Sequence, residues 1–144
     1  LLKDRDVLLL ESRSKTKDAR QFITINETDT LVTIQHSTFN IKHSAVKIQQ
    51  SISIKFDKNL LKFPLIVRKW QKGDYFYPIG MEGKKKLSKY FKDEKISLIE
   101  KENIWLLLSD NEIVWIIGKR QDERFKITSR TTQILEFYKT EHNE

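Results

Sequence analysis

Both prolines and three of the four glycines of this 144-residue chain fall between residues 62 and 83. Gly and Pro are the strongest local punctuators of a chain, and residues 1–62 must therefore turn without them. Turns in that half rest on polar clusters instead, such as Asn26-Glu27-Thr28-Asp29-Thr30. Between the clusters the apolar residues recur with a period of two. Gln21 to Ile25 and Leu31 to Phe39 alternate, and Ile48, Ile52, Ile54 and Phe56 share one parity and so one face of a strand. Val7 to Leu10 is a continuous apolar run short enough for a buried strand. The half reads as an antiparallel β meander, with at most a short helix near Ser44.

The rest of the chain is more varied. Leu65, Ile66 and Val67 form a short strand that ends at the basic pair Arg68-Lys69. Gly73-Asp74 marks one turn, and Gly80 and Gly83 bracket another. Leu87, Tyr90 and Phe91 fall at i, i+3 and i+4, the apolar face of a helix expected from about Lys86 to Lys95. Trp105 to Leu108 and Ile113 to Ile117 are strands joined through Ser109-Asp110-Asn111-Glu112, a hairpin. Neither alternates cleanly, which predicts cover on both faces. Thr132 to Tyr138 is a last strand before a polar tail. The fold class expected is mainly β: antiparallel sheets packed as a sandwich-like module, with one or two short helices.

With 38% hydrophobic residues, the chain is long enough for one domain with its own core. It has no cysteine, which excludes disulfides and thiolate metal sites and favours a cytoplasmic setting. No apolar run approaches the ~20 residues of a membrane span, and no signal-peptide pattern opens the chain. The chain starts at Leu1, and its one methionine is Met81. That combination is expected of a piece of a longer protein.

Charge is segregated along the chain. Arg68, Lys69, Lys72, Lys84, Lys85, Lys86, Lys89 and Lys92 face only Asp74 and Glu82 within residues 68–92, and so carry most of the formal net charge of +7. Residues 93–112 hold six acids against Lys95 and Lys101. A basic patch interleaved with aromatic residues is the footprint of a polyanion partner, because each phosphate contact releases condensed counterions.

Catalytic signatures are lacking. The chain contains no GxxxxGK[ST], no GxGxxG and no Gly-rich SGGxDS-type loop to cradle ATP phosphates. His36 and His43 lack a cluster of candidate partners, and they read as strand or turn histidines on a solvated edge. Asp93-Glu94 and Glu100/Glu102 read as solvated acids pairing with Lys95 or Lys101 rather than as catalytic carboxylates. No nucleophile, base and orienting group stand out as a set, which disfavours an independent hydrolase.

The lysine cluster carries two readings. Lys84-Lys85-Lys86 after Gly83 is a solvated loop tip, or it is a set of point charges for phosphate at the start of a helix. Arg68 and Lys69 would add a bidentate clamp. Phe76 reads as core, whereas Trp70 and Tyr75 divide between core packing and stacking on a sugar or unpaired base. The candidate polyanion-binding residues are thus Arg68, Lys69, Lys72, Lys84, Lys85, Lys86 and Lys89, with no catalytic or metal-binding residue. The competing reading is a structural or oligomerisation domain with a solvated basic surface.

Residues 63–127 resemble the C-terminal domain of bacterial tRNA(Ile)-lysidine synthase. The resemblance rests on Arg68, Gly73-Asp74, Phe76, Pro78, Gly80, Gly83, Lys84 to Lys86, Leu87, Asp93, Gly118 and Arg124-Phe125-Lys126 in that order. Leu2 to Asp6 resembles, more weakly, a joining segment of Bacteroidetes-like members. Ser97 and Trp105 stand where many members have Pro, which touches the shape of the loops there. Residues 1–62 would then be an N-terminal β portion and residues 128–144 the last strand and tail of a single C-terminal domain.

The resemblance implies a parent ligase that uses ATP, with Mg, to attach lysine to C2 of the wobble cytidine of tRNA-Ile(CAU). ATP and metal would sit in an N-terminal catalytic domain, and none in this stretch. This domain would hold the tRNA, chiefly its acceptor end, without catalysing. Its partners would be the tRNA and the catalytic domain of the same chain, with a homodimer as a further expectation and no membrane. The fold implied is a β-rich module also similar to one in the phenylalanyl-tRNA synthetase β chain.

Overall fold

A computed structural model describes residues 21–35, 37–45 and 53–139. Ten strands and two short α-helices follow one another as β1 (Phe22–Ile25), β2 (Leu31–Ile34), β3 (Ser37–Ser44), β4 (Ser53–Asp57), β5 (Leu65–Lys69), β6 (Tyr75–Phe76), β7 (Lys85–Lys86), α1 (Leu87–Asp93), α2 (Leu98–Lys101), β8 (Trp105–Ser109), β9 (Glu112–Ile116) and β10 (Ile134–Tyr138). All pairings are antiparallel. One sheet runs β1-β5-β8-β9, a second runs β2-β3-β10-β4, and β6 and β7 form a small ribbon. The chain is mainly β, as the two-residue periodicity predicts.

The two four-stranded sheets pack face to face over a shared apolar layer. Ile25, Val67, Leu107 and Trp115 from the first meet Ile34, Phe39, Phe56 and Phe137 from the second. Trp115 is central: its ring lies 5.6 to 5.8 Å from those of Phe39, Phe56 and Phe137. The other face of the first sheet is covered as well. Leu106, Leu108, Ile113 and Ile116 pack there against Phe76 of β6 and against Leu87, Tyr90 and Phe91 of α1. The first sheet is therefore a middle layer, and β8 is buried at every position. A bulge between Leu107 and Leu108 skips Val114 in the ladder, so Val114 and Trp115 both serve the inter-sheet core. This is why β9 does not alternate.

The helix forms where the i, i+3, i+4 spacing places it, and Leu87, Tyr90 and Phe91 are all buried. Its end is a Schellman motif: Ile96 N–H donates to the Phe91 carbonyl at 2.9 Å, and Lys95 N–H to that of Lys92 at 3.1 Å. Lys95 holds the left-handed position at φ 57°, where Gly is usual. Ser97 then caps α2, its hydroxyl accepting from Glu100 N–H at 3.1 Å, so a Ser is locally consistent at this position. The hairpin between β8 and β9 turns on Asp110 (φ 50°) and Asn111 (φ 68°), two left-handed residues as a primed turn requires.

Among the described residues, the meander expected for the first half does not form. β1 pairs with β5, and only β2 and β3 pair as a hairpin. Leu31 to Phe39 is not one strand: the chain reverses at Gln35 (φ 57°), pairing Ile34 with Ser37. The register moves the buried face from even positions, Val32 and Ile34, to odd ones, Phe39 and Ile41, and that switch of parity is the signal that a single-strand reading passes over. β3 runs through Ser44, so no helix lies at that residue. Each large sheet draws strands from both sides of residue 62. The expected strand at Val7 to Leu10, the segment Leu2 to Asp6, and Ile48 and Ile52 of the third alternating run lie outside the described residues.

Candidate nucleic-acid interface

The basic residues are positioned by two turns and the ribbon between them. After β5, residues 71–74 form a tight turn in which Asp74 N–H donates to the Gln71 carbonyl at 3.0 Å. Gly73 supplies the positive φ of 97° that its third position needs. Gly80 does the same at φ 82° in the turn closed by Met81 N–H and the Pro78 carbonyl at 3.1 Å. β6 and β7 then align Tyr75 with Lys86 and Phe76 with Lys85. Phe76 is buried and fastens the ribbon to the first sheet, as expected of a core aromatic.

Four of the seven candidate cations come together here. Lys84, Lys85, Lys86 and Lys89 line one open depression with Pro78, Met81, Glu82 and Gly83. Lys84 and Lys86 are exposed. The Lys84 ammonium lies 4.5 Å from the centroid of the Tyr75 ring, a cation–π contact that costs the lysine little freedom. Lys85 and Lys89 both reach Asp93, at 2.6 and 3.6 Å. The Lys85 hydrogen bond, with Lys89 beside it, holds the Asp93 carboxyl below its ordinary range. Asp93 and Glu100 thus pair with other lysines than the neighbours in sequence expected for them. Glu100 meets Lys119 at 2.5 Å.

The other three candidates lie apart from that depression. Arg68 is not a free clamp. Its guanidinium forks onto Asp74, Nη1 to Oδ2 at 3.0 Å and Nη2 to Oδ1 at 3.1 Å. The geometry suited to a phosphate is taken by a carboxylate that the tight turn delivers to it. Lys69 places its ammonium 5.8 Å from the Trp105 ring centroid. Lys72 is exposed at the tip of the turn. At the helix start, Leu87 N–H is taken by the Asp74 carbonyl at 2.9 Å.

The two open aromatics separate cleanly. Trp70 stacks edge-on against Phe91 at 4.9 Å and donates its indole N–H to the Lys101 carbonyl at 2.8 Å. Its ring belongs to the core under α1. Tyr75 is 44% exposed beside the lysines.

Sequence reading missed the clasp that holds the loop of residues 77–84. Asp122 is fully buried, and it accepts from Tyr77 N–H at 2.8 Å and from Arg124 Nε and Nη2 at 2.9 and 3.0 Å. Arg124 in turn lies 4.2 Å from the Tyr77 ring. Gly80 N–H donates to Glu123 at 2.9 Å, and Arg120 donates to the Ile79 carbonyl at 2.9 Å. Asp122 caps the short 3-10 turn Glu123–Phe125, and because Asp122, Glu123 and Arg120 all reach the same loop, no alternation in the local sequence marks them.

His43 is not on a solvated edge. It sits half-buried in β3, with Phe63 at 6.3 Å between ring centroids. Burial, helped by Lys58, lowers its pKa. His36 and His142 lie outside the described residues. Among the described residues no group of three His, Cys, Asp or Glu side chains could hold a metal ion. The four glycines occupy separate turns, each with a positive φ. No described helix is long and apolar enough to cross a membrane.

Comparison with known proteins places this arrangement. The model of the TilS substrate C-terminal domain matches residues 65–137. The tRNA(Ile)-lysidine synthase of Parabacteroides distasonis is 43% identical over 140 residues, 94% of this chain and 31% of that protein. That of Bacteroides thetaiotaomicron is 45% identical over 80 residues, 56% of this chain and 19% of that protein. The chain spans less than a third of the length of either relative. Among solved structures, the crystal structure of a TilS C-terminal domain superposes with a TM-score of 0.69 at 16% identity, covering 86% of this chain and all of that one. An N-terminal fragment of the phenylalanyl-tRNA synthetase β-subunit from Pyrococcus horikoshii gives 0.51 at 16% identity, covering 59% of this chain and 27% of that one. These two share the fold.

Proposed function

From the premise that this chain belongs to the TilS substrate C-terminal domain family, we propose that it holds the tRNA substrate of a tRNA(Ile)-lysidine synthase without itself catalysing. The observation that carries this is the gathering of Lys84, Lys85, Lys86 and Lys89 around one exposed depression. Flexible ammonium groups on a rigid ribbon suit a run of phosphates, and phosphate contacts fix position without reading sequence. Lys72 extends the positive surface at the neighbouring turn. Arg68 serves it indirectly, by holding the turn through Asp74, and Lys69, beside Trp105, lies apart from it. The RNA would be tRNA-Ile(CAU), engaged at its acceptor end. Lysine transfer, with ATP and its metal, would belong to the catalytic domain of the longer protein, in the cytoplasm.

The test is equilibrium binding of the 144-residue chain to tRNA across a salt series. Phosphate contact predicts that log affinity falls linearly with log salt, with a slope of about −0.7 to −0.9 per phosphate engaged. Four lysines in contact would give a slope near −3, on the order of the cluster's size. A flat dependence, or no binding at low salt, would favour a structural or oligomerisation domain instead.

A further inference from the structure

We propose that the lysine-rimmed depression and Tyr75 together seat an unpaired nucleotide, so that this surface takes single-stranded RNA rather than duplex backbone alone. The inference rests on the reading of the chain as an RNA-binding domain and specifies which part of an RNA it takes. Lysines alone would suit either form. What a duplex leaves unexplained is the apolar surface among them. Met81, 44% exposed, lines the depression beside the buried Pro78. Its volume of about 400 Å³ lies within the ~300–1,000 Å³ usual for small-ligand pockets. Tyr75 stands directly opposite Lys86 in the ribbon and is itself 44% exposed. In a duplex the bases are stacked and paired, and Met81 and Tyr75 would stay in water. An unpaired nucleotide offers a π-face for the ring and, on the same unit, a phosphate for the lysines.

Lys84 links the two parts. Its ammonium lies over the Tyr75 ring at 4.5 Å, and the same side chain lines the depression. Turning Lys84 onto a phosphate uncovers the ring for a base. The cation–π contact thus protects the aromatic face until a polyanion draws the lysine away. Trp70 is not available for this role, because Phe91 and the Lys101 carbonyl occupy it.

The test compares two RNA hairpins with the same stem, one blunt and one with a short single-stranded tail, by fluorescence anisotropy at fixed salt. The tailed hairpin should bind on the order of 10-fold tighter, the scale of one base–aromatic stack. Tyr75→Ala should abolish that difference, while Tyr75→Phe, which keeps the ring, should preserve it. A melting curve for each variant separates loss of stacking from loss of fold. Equal affinity for the two hairpins, or a folded Tyr75→Ala protein that still prefers the tail, overturns the inference and leaves tRNA binding standing. Binding to neither hairpin overturns the RNA-binding reading and this inference with it.

Discussion

Arg68 and Asp74 close a two-pronged ion pair across the turn that follows β5, with both N–O distances near 3 Å (3.0 and 3.1 Å). The same carboxylate accepts Gln71 N–H at 2.6 Å, and the Asp74 carbonyl accepts Leu87 N–H at 2.9 Å. One residue therefore ties the end of the central sheet to the start of α1 and sets where the basic ribbon stands. Both side chains are largely buried, at 21% and 14% exposure. Removing either leaves a poorly solvated charge without its partner. Arg68→Ala and Asp74→Ala should each lower stability by about 1–3 kcal/mol in chemical denaturation. The double variant should lose less than the two added together. Additive losses would show that the pair does not couple the two elements.

Asp93 engages two of the four lysines of the depression, so it competes with phosphate for them. Asp93→Asn should tighten tRNA binding several-fold. It should also steepen the salt slope by roughly 0.7–0.9 for each additional phosphate engaged. Weaker binding by a variant that melts normally would mean that Asp93 aims the lysines rather than restraining them.

Acid should loosen the same region. Lys85 holds the Asp93 carboxyl below its ordinary range, and Lys126, together with Gly80 N–H, does so for Glu123. A carboxyl whose pKa is lower folded than unfolded binds more protons when unfolded, so stability rises with pH through that window. The contribution is complete above the ordinary carboxylate range of about 4 and is lost as pH falls through the lowered values. Melting temperature should begin to fall below about pH 6.5, where unfolded His43 takes up a proton that its buried folded site disfavours, and should drop further below about 4 as the carboxyls protonate. Glu123→Gln should make that acid limb shallower, and an unchanged limb would remove Glu123 from the account.

Lys95 occupies the left-handed position of the Schellman motif that ends α1. A side chain there costs about 1 kcal/mol relative to glycine. Lys95→Gly should raise the unfolding free energy by up to about that amount, with RNA affinity little changed because Lys95 lies outside the depression. A loss of stability would show that Lys95 makes contacts that outweigh its backbone strain.

How much of the fold is legible in the sequence depends on whether the signal is local. The helix can be placed because Leu87, Tyr90 and Phe91 declare one face within a single turn and a half. The buried pair β8 and β9 is visible because Trp105 to Leu108 and Ile113 to Ile117 contain no polar break. The pairing of β1 with β5 is not visible, since Phe22 and Arg68 are joined only by the tertiary fold. Gln35 reverses the chain without the glycine or proline that would mark it. At the candidate site the lysine cluster is plain from composition. The fate of Arg68 is not, because its partner sits six residues away and meets it only when the turn around Gly73 closes. Asp122 escapes notice for the same reason, its partners being a loop some forty residues earlier and its own near neighbour Arg124.

The most direct measurement is the salt dependence of tRNA affinity for the Lys84→Ala, Lys86→Ala, Lys89→Ala triple variant beside the unaltered chain. These lysines line the depression without belonging to the core, so the melting temperature should be nearly unchanged. Affinity should fall for every tRNA by a similar factor. The slope of log affinity against log salt should become shallower by about 2, or roughly 0.7–0.9 for each lysine removed from a phosphate. A variant that melts normally and binds tRNA with the affinity and slope of the unaltered chain would contradict the assignment of this surface to RNA.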